Sequence, residues 1–229
     1  MNIFEELQEK MREWGATFTG ASRVEERLPE RLAALKYAVT VGVRLSDFII
    51  DEISDAPTYT YFHHYRTVNT LIDQITLRGM LFLQEHGYKA LAVPASQTVN
   101  DTGDAYSGIF PHKTGAVLAG LGWIGKNGLF VSPEYGPRVR LGTLLTDMEL
   151  PAEERQRAEN GCGSCRQCVD RCPAMALTGK AWEEGIPRSG IVDAKACSEY
   201  MNSKFKHIGR GSVCGICMRV CPHGNSNGR

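Results

Sequence analysis

Eight cysteines constrain this chain more than any other feature of its sequence, and none of them precedes Cys162. They form two runs that each end in Cys-Pro, with Cys197 standing alone between them. The first run is Cys162-x2-Cys165-x2-Cys168-x3-Cys172, and the second is Cys214-x2-Cys217-x3-Cys221. The first spacing is that of bacterial two-cluster ferredoxins, in which the cysteine before proline ligates the other cluster. The sequence therefore predicts two [4Fe–4S] clusters.

The same rule assigns the ligands. Three cysteines of one short loop can bind one face of a cubane, but the fourth thiolate must come from elsewhere in the chain. The first cluster then takes Cys162, Cys165, Cys168 and Cys221. The second takes Cys172, Cys214, Cys217 and, by elimination, Cys197. The alternatives are two four-cysteine zinc sites or unrelated buried thiols, although zinc ribbons use C-x2-C pairs without the triple run.

Composition places the chain among ordinary globular proteins, with 229 residues, 42% of them hydrophobic and 23% charged. No apolar run reaches the roughly 18–20 residues that a membrane-spanning helix needs, and the first residues lack the pattern of a signal peptide. We therefore expect a cytoplasmic protein with no membrane partner. Residues 151–229 carry 12 Lys+Arg against 8 Asp+Glu, and the whole chain is neutral, which is too weak an asymmetry to indicate a nucleic-acid-binding surface.

Hydrophobic periodicity predicts an α+β fold with two domains. We expect an α/β domain over residues 1–155 and a two-cluster ferredoxin-like domain over residues 156–229. The predicted helices cover residues 3–14, 59–85, 113–119 and 151–160, and the predicted strands cover residues 34–45, 88–94, 129–132 and 138–145. Residues 96–110 are polar and rich in glycine, which is typical of a linker or a functional loop.

The middle of the chain resembles a known family. Residues 120–127 (GLGWIGKN), residues 129–136 (LFVSPEYG) and the Leu-Thr-Asp at residues 145–147 resemble epoxyqueuosine reductase, the cobalamin-dependent iron–sulfur enzyme of the last step of queuosine synthesis in tRNA. The cysteine runs and the isolated Cys197 match as well, so that the resemblance covers about residues 36–224. Respiratory reductive dehalogenases share the same plan, a nitroreductase-like corrinoid domain followed by a ferredoxin module.

This resemblance implies a base-off cobalamin, reduced by the nearer cluster. It also implies which residues would contact the cofactor. Glycines of GLGWIGKN, among them Gly125, would let the backbone approach the corrin, and polar or aromatic side chains would contact it. The residues implied in this way are Tyr65, His112, Trp123, Gly125, Lys126, Asn127, Arg138 and Arg140. For each of them a plain structural role is the alternative.

The sequence departs from the family where the catalytic acid is expected. The reductases place an Asp about fourteen residues before GLGW, whereas this chain has Tyr106 there and Asp104 two residues earlier. Dehalogenases use a tyrosine as the acid, so we predict that the proton donor is Tyr106, with Asp104 as the second candidate. The chain ends at Arg229 without the helical-repeat domain by which the tRNA enzymes hold their substrate, and this weakens the expectation of tRNA as a partner.

The leading interpretation is thus a cobalamin-dependent iron–sulfur reductase that acts on a small molecule or a modified nucleoside. A ferredoxin or flavodoxin would supply its low-potential electrons. The alternatives are a ferredoxin-type electron carrier with a degenerate corrinoid domain, and a protein that reduces cobalamin for another enzyme.

Overall fold

A four-stranded sheet with the strand order β1-β2-β6-β3 organises the N-terminal part of the chain. The computed structural model describes residues 2–97, 106–152, 158–210 and 213–224. Its strands are β1 Phe18–Arg23, β2 Tyr37–Arg44, β3 Ala90–Val93, β4 Trp123–Ile124, β5 Phe130–Val131 and β6 Val139–Thr146. Its helices are α1 Ile3–Glu13, α2 Asp47–Asp51, α3 Tyr59–Glu85, α4 His112–Leu118, α5 Gln167–Asp170, α6 Ala194–Gly209 and α7 Ile216–Arg219.

The chain divides into two interleaved units. The first comprises Met1–Arg44, Val68–Leu121 and Arg140–Ala158, and the second comprises Leu45–Thr67, Gly122–Val139 and Glu159–Arg229. The sequence analysis predicted a single boundary near residue 155 instead. The difference arises because two segments from the middle of the chain pack with the cysteine-rich part, which cannot be seen from composition.

The first unit contains the sheet. Strand β1 pairs antiparallel with β2, and β3 pairs antiparallel with β6. Phe18 lies opposite Gly42, and a Cβ added at Gly42 would be only 2.1 Å from the Phe18 ring, so the ring occupies the space that a side chain would need. A buried cluster of seven residues forms part of its core: Val24, Leu32, Leu35, Ala38, Val93, Phe110 and Leu145.

Helix α1 packs in this unit as its amphipathic sequence predicts. Asn2 caps it in a capping box with Glu5, and the apolar face buries Leu7 and Met11. A Cβ added at Gly79 of α3 would lie 2.7 Å from Met11 Cε and 3.1 Å from Leu144 Cδ2. The missing side chain therefore lets α3 approach both α1 and β6 closely.

The predicted mixed α/β class is confirmed, and α3 has the predicted bounds. Strand β1 and helix α6 were not predicted. Of the predicted helix over residues 151–160, residues 153–157 lie outside the described part of the chain, and the other five are not helical. None of the described helices is long and apolar enough to cross a membrane.

Candidate metal centre

All eight cysteines belong to the second unit, where helices and turns hold them. Cys168 lies in α5, Cys197 in α6 and Cys217 in α7, and α5 packs against α7. Turns hold the others, as in the hydrogen bond of 2.9 Å that Cys165 N–H donates to the Cys162 carbonyl. Three segments, whose cysteines lie up to 59 positions apart in the sequence, are thereby brought together.

The thiol pKa values show which cysteines are neighbours. Burial and, after it, the neighbouring thiols of Cys162, Cys168 and Cys165 raise the pKa of Cys221 to about 12. Burial and the thiols of Cys162 and Cys165 also raise the pKa of Cys168. These four cysteines line one cavity, together with Lys126, Asn127, Val131, Pro222 and His223.

The remaining four cysteines influence one another in the same way. Burial raises the pKa of Cys214 to about 11, with contributions from Cys197 and Cys172. The pKa of Cys217 is raised well above its usual value by burial and then by Cys214, Cys197 and Cys172, with a further contribution from Cys168. The structure thus brings together the same two sets of four cysteines that crossed ligation requires.

This arrangement fits two cubanes. A cysteine ligates iron as the thiolate, and a thiol with a raised pKa is costly to ionise unless a cation compensates its charge. Among the described residues, no three His, Cys, Asp or Glu side chains converge closely enough to hold a single metal ion. A cubane does not need such convergence, because each of its four thiolates binds a different iron.

Lys126 and Asn127, predicted to contact the corrin, lie in the turn between β4 and β5 and contact the cysteine loops. Both side chains are buried. Lys126 Nζ donates hydrogen bonds of 2.6 Å and 3.1 Å to the carbonyls of Gly163 and Cys165. Asn127 Nδ2 donates to the Cys217 carbonyl at 3.4 Å. The turn therefore contacts both cysteine runs.

Two residues that the sequence analysis missed support the first cysteine loop. Asn160 donates to the Ile124 carbonyl at 3.3 Å and accepts from Cys162 N–H at 3.0 Å. His223 lies 3.0 Å from the Gly161 carbonyl, and its ring meets the buried Trp123 ring edge-on at 5.2 Å. The position of His223 directly after Cys-Pro is the one signal in the sequence that could have indicated it.

Glycines let the segment after Cys221 pass close to the β5–β6 connection. Gly136 (φ +57°) and Gly224 (φ +74°) both adopt left-handed backbone conformations. A Cβ at Gly136 would lie 1.9 Å from the His223 carbonyl oxygen, and one at Gly224 would lie 2.1 Å from Tyr135 backbone. Any larger residue at either position would displace the backbone that carries Cys221.

Arg138, another predicted corrin contact, is fully buried and pairs with two carboxylates of α2. Its Nη1 and Nη2 atoms lie 3.0 Å from Asp47 Oδ1 and 2.9 Å from Asp51 Oδ1. Asp51 also pairs with Arg219 Nε at 3.3 Å, so this network reaches the helix that carries Cys217. No sequence signal identified Asp47 and Asp51, because their partner lies more than eighty positions away.

His112 and Arg140 lie in the first unit. His112 Nε2 donates to the Pro94 carbonyl at 3.0 Å, so Nδ1 accepts from the Thr143 hydroxyl at 2.8 Å. Burial lowers the pKa of His112 to about 4, which keeps the ring neutral at pH 7. Arg140 Nε donates to Asn69 Oδ1 at 2.9 Å.

Four predicted residues remain, and they are Gly125, Tyr65, Tyr106 and Asp104. A Cβ at Gly125 would lie 2.8 Å from Asn127 Oδ1 and 3.6 Å from Cys162 Sγ. Tyr65 lies in α3, with its ring 6.4 Å from that of Tyr61. Tyr106 is 37% exposed. Asp104 lies outside the described residues.

Double substitutions test the crossed ligation, because each cubane holds four irons. We expect Cys162→Ala and Cys221→Ala each to reduce the iron content from about eight to about four per chain. Combining these two substitutions should remove no further iron, since both ligate the same cluster. Combining Cys162→Ala with Cys172→Ala should instead remove nearly all iron. Iron and acid-labile sulfide measured on anaerobically reconstituted protein check this.

The opposite pattern, with about four irons left in the Cys162/Cys172 variant and none in the Cys162/Cys221 variant, would show that each run binds its own cluster.

Comparison with known proteins supports the metal centre. Residues 161–224 match the family model described as a 4Fe-4S double cluster binding domain. The chain is 40% identical over 119 residues to an epoxyqueuosine reductase of Lactococcus garvieae, a match that covers 47% of this chain and 30% of that protein. The chain therefore spans about a third of the length of the curated relatives it matches.

Two solved structures share the fold. A catabolic reductive dehalogenase, NpRdhA, has a TM-score of 0.74 at 21% identity, over 96% of this chain and 31% of that one. The epoxyqueuosine reductase of Streptococcus thermophilus has a TM-score of 0.65 at 21% identity, over 99% of this chain and 67% of that one. The predicted pair of [4Fe–4S] clusters is thus confirmed, in a chain that is similar to epoxyqueuosine reductases and reductive dehalogenases.

Proposed function

We propose that this chain is a cobalamin-dependent iron–sulfur reductase, built from a nitroreductase-like corrinoid-binding domain and a two-cluster ferredoxin domain. The observation that carries this proposal is the extent of the shared fold. The two solved relatives align with 96% and 99% of the chain, whereas the double cluster binding domain accounts for residues 161–224 alone. A simple electron carrier would need little more than that domain.

The two sets of cysteines give the chain its part in electron transfer. Paired cubanes move one electron at a time at low potential. A ferredoxin or flavodoxin is the proposed donor, because such carriers work in the same potential range. When bound, cobalamin would supply a low-potential cobalt centre capable of reducing an epoxide, an alkene or a carbon–halogen bond.

The contacts within each unit narrow the set of residues proposed to hold cobalamin. His112, Lys126, Asn127 and Arg138 have polar groups bonded to the protein, and we assign them a supporting role. Trp123 fits the cofactor better. Its indole Nε1 is buried and has no hydrogen-bond partner in the described part of the chain, so it could donate to a corrin amide. Tyr65, Gly125 and Arg140 remain proposed contacts.

Tyr106 is proposed as the proton donor. Two-electron reduction of the substrate leaves an anion or radical that must be protonated. A phenol with an ordinary pKa of about 10 is protonated at neutral pH, whereas a carboxyl group such as that of Asp104 would need burial to raise its pKa. The partial exposure of Tyr106 agrees with a side chain on a loop that a substrate can reach.

The substrate is proposed to be a small molecule or a modified nucleoside. The names of the relatives point to an epoxide in one case and a carbon–halogen bond in the other. Both reductions take two electrons, with two protons where the epoxide oxygen leaves as water and one proton where hydrogen replaces the halogen. The match to the first relative covers only 30% of that protein, so tRNA recognition is not carried over to this chain.

Cobalamin binding provides the first test. Protein reconstituted anaerobically with iron, sulfide and cobalamin should retain close to one corrin per chain through gel filtration, as measured by its absorbance. Trp123→Phe should weaken this retention while the iron content stays unchanged, because the indole N–H donor is lost while an aromatic ring remains in its place. Trp182→Phe serves as the matched control and should retain the corrin. If the wild-type protein keeps its iron but loses all corrin, the chain acts as an electron carrier instead.

The second test addresses the proton donor. Tyr106→Phe should keep cobalamin and both clusters but lower turnover of an epoxide or aryl halide that the wild-type protein reduces, by about 10²–10⁴-fold. Tyr88→Phe is the control and should leave turnover unchanged. Wild-type turnover in the Tyr106 variant would refute this role, and Asp104→Asn would then show whether Asp104 is the acid.

A further inference from the structure

We propose that Lys126 sets the reduction potential of the cluster assigned to Cys162, Cys165, Cys168 and Cys221. This inference rests on the double-cluster domain and does not depend on the proposed binding of cobalamin. Lys126 is proposed as a positioning residue, which acts on the cluster through its charge and through the loop carbonyls that it binds.

The turn that carries Lys126 is held firmly. Gly125 N–H donates to the Leu129 carbonyl at 2.9 Å, and Gly128 N–H donates to the Gly125 carbonyl at 2.8 Å. Asn127 Oδ1 accepts from Leu129 N–H at 3.0 Å. Because the backbone on both sides of Lys126 is fixed in this way, its side chain leaves the turn from a defined position.

The ammonium group is placed beside the first cysteine loop. Its two hydrogen bonds end on the carbonyls of Gly163 and Cys165, inside the segment that contains the first two ligands. Lys126 also lines the cavity formed by the four cysteines of this cluster. Among the lysines of the described ranges, Lys126 alone is buried, with 9% of its surface exposed.

A buried cation at this place must favour the reduced cluster. A cubane with four thiolates already carries net negative charge, and reduction by one electron makes it more negative. Charges interact more strongly in a buried site than in water, so a fixed ammonium group stabilises the reduced state and raises the potential. Lys126 also donates hydrogen bonds to two loop carbonyls, whose negative ends would otherwise oppose reduction.

Asn127, the neighbour of Lys126, makes a similar contact with the cysteine loops but carries no charge. It lies next to Lys126 in the same turn and binds the second cysteine run through the Cys217 carbonyl, but it is neutral. The two neighbouring residues thus have different roles. Asn127 holds the second run by a hydrogen bond, whereas Lys126 holds the first and adds a charge.

An EPR-monitored redox titration of the iron-loaded full chain tests the proposal. In Lys126→Gln, one of the two cluster midpoints should fall. The ratio of reduced to oxidised cluster at a given potential should drop about tenfold, which corresponds to about 59 mV for one electron. The other midpoint should stay in place. Lys126→Arg keeps the charge and should keep the wild-type midpoint, and Lys180→Gln, which removes an exposed lysine charge of the same unit, should change neither midpoint.

Two results would overturn the proposal. One is a Lys126→Gln protein with a full complement of iron and two unchanged midpoints. The other is a Lys126→Arg protein whose midpoint falls as far as that of the glutamine variant, since the shape of the side chain and not its charge would then matter. If the glutamine variant loses about four irons, its midpoint cannot be compared, and the arginine variant becomes the test. The proposal then requires that Lys126→Arg retains about eight irons and the wild-type midpoint, and any other result contradicts it.

Discussion

The second unit depends on one electrostatic constraint, the crowding of eight ionisable thiols into two sets of four. Burial and neighbouring thiols raise the pKa values of five of them, to about 12 for Cys221 and about 11 for Cys214. Bound iron compensates the negative charge of the thiolates, so cluster binding and folding of this unit are coupled. In the predicted crossed ligation, the fourth ligand of each cluster comes from the opposite cysteine run, so both runs must be in place before either cluster is complete.

Segments from earlier in the chain support this arrangement. The turn between β4 and β5 binds both cysteine runs through Lys126 and Asn127. Helix α2 supplies Asp51, which pairs with both Arg138 and Arg219. Arg138 is fully buried, so removal of both of its carboxylate partners would leave an uncompensated buried charge, which typically costs about 3–5 kcal/mol. The interleaved division of the chain follows, since residues 45–67 and 122–139 belong with the cysteine runs that they hold.

The sequence was informative wherever a local rule applies. Helix α3 follows from its apolar periodicity, and the two clusters follow from cysteine spacing alone. Strand β1 was missed because Gly20 and the polar residues around it hide its alternation, and its pairing with β2 depends on contacts some twenty positions away. Lys126 and Arg138 were predicted as cobalamin contacts, whereas a supporting role is now proposed for both. Their partners within the protein lie far along the chain, and no local pattern identifies them.

The central claim is that two [4Fe–4S] clusters are held by crossed sets of cysteines. Anomalous diffraction from crystals of the iron-loaded protein, collected on both sides of the iron edge, measures this directly. The account predicts two iron sites per chain, one ligated by Cys162, Cys165, Cys168 and Cys221 and the other by Cys172, Cys197, Cys214 and Cys217. Anomalous signal at the zinc edge instead, or Cys221 bound to the same site as Cys214 and Cys217, would contradict it.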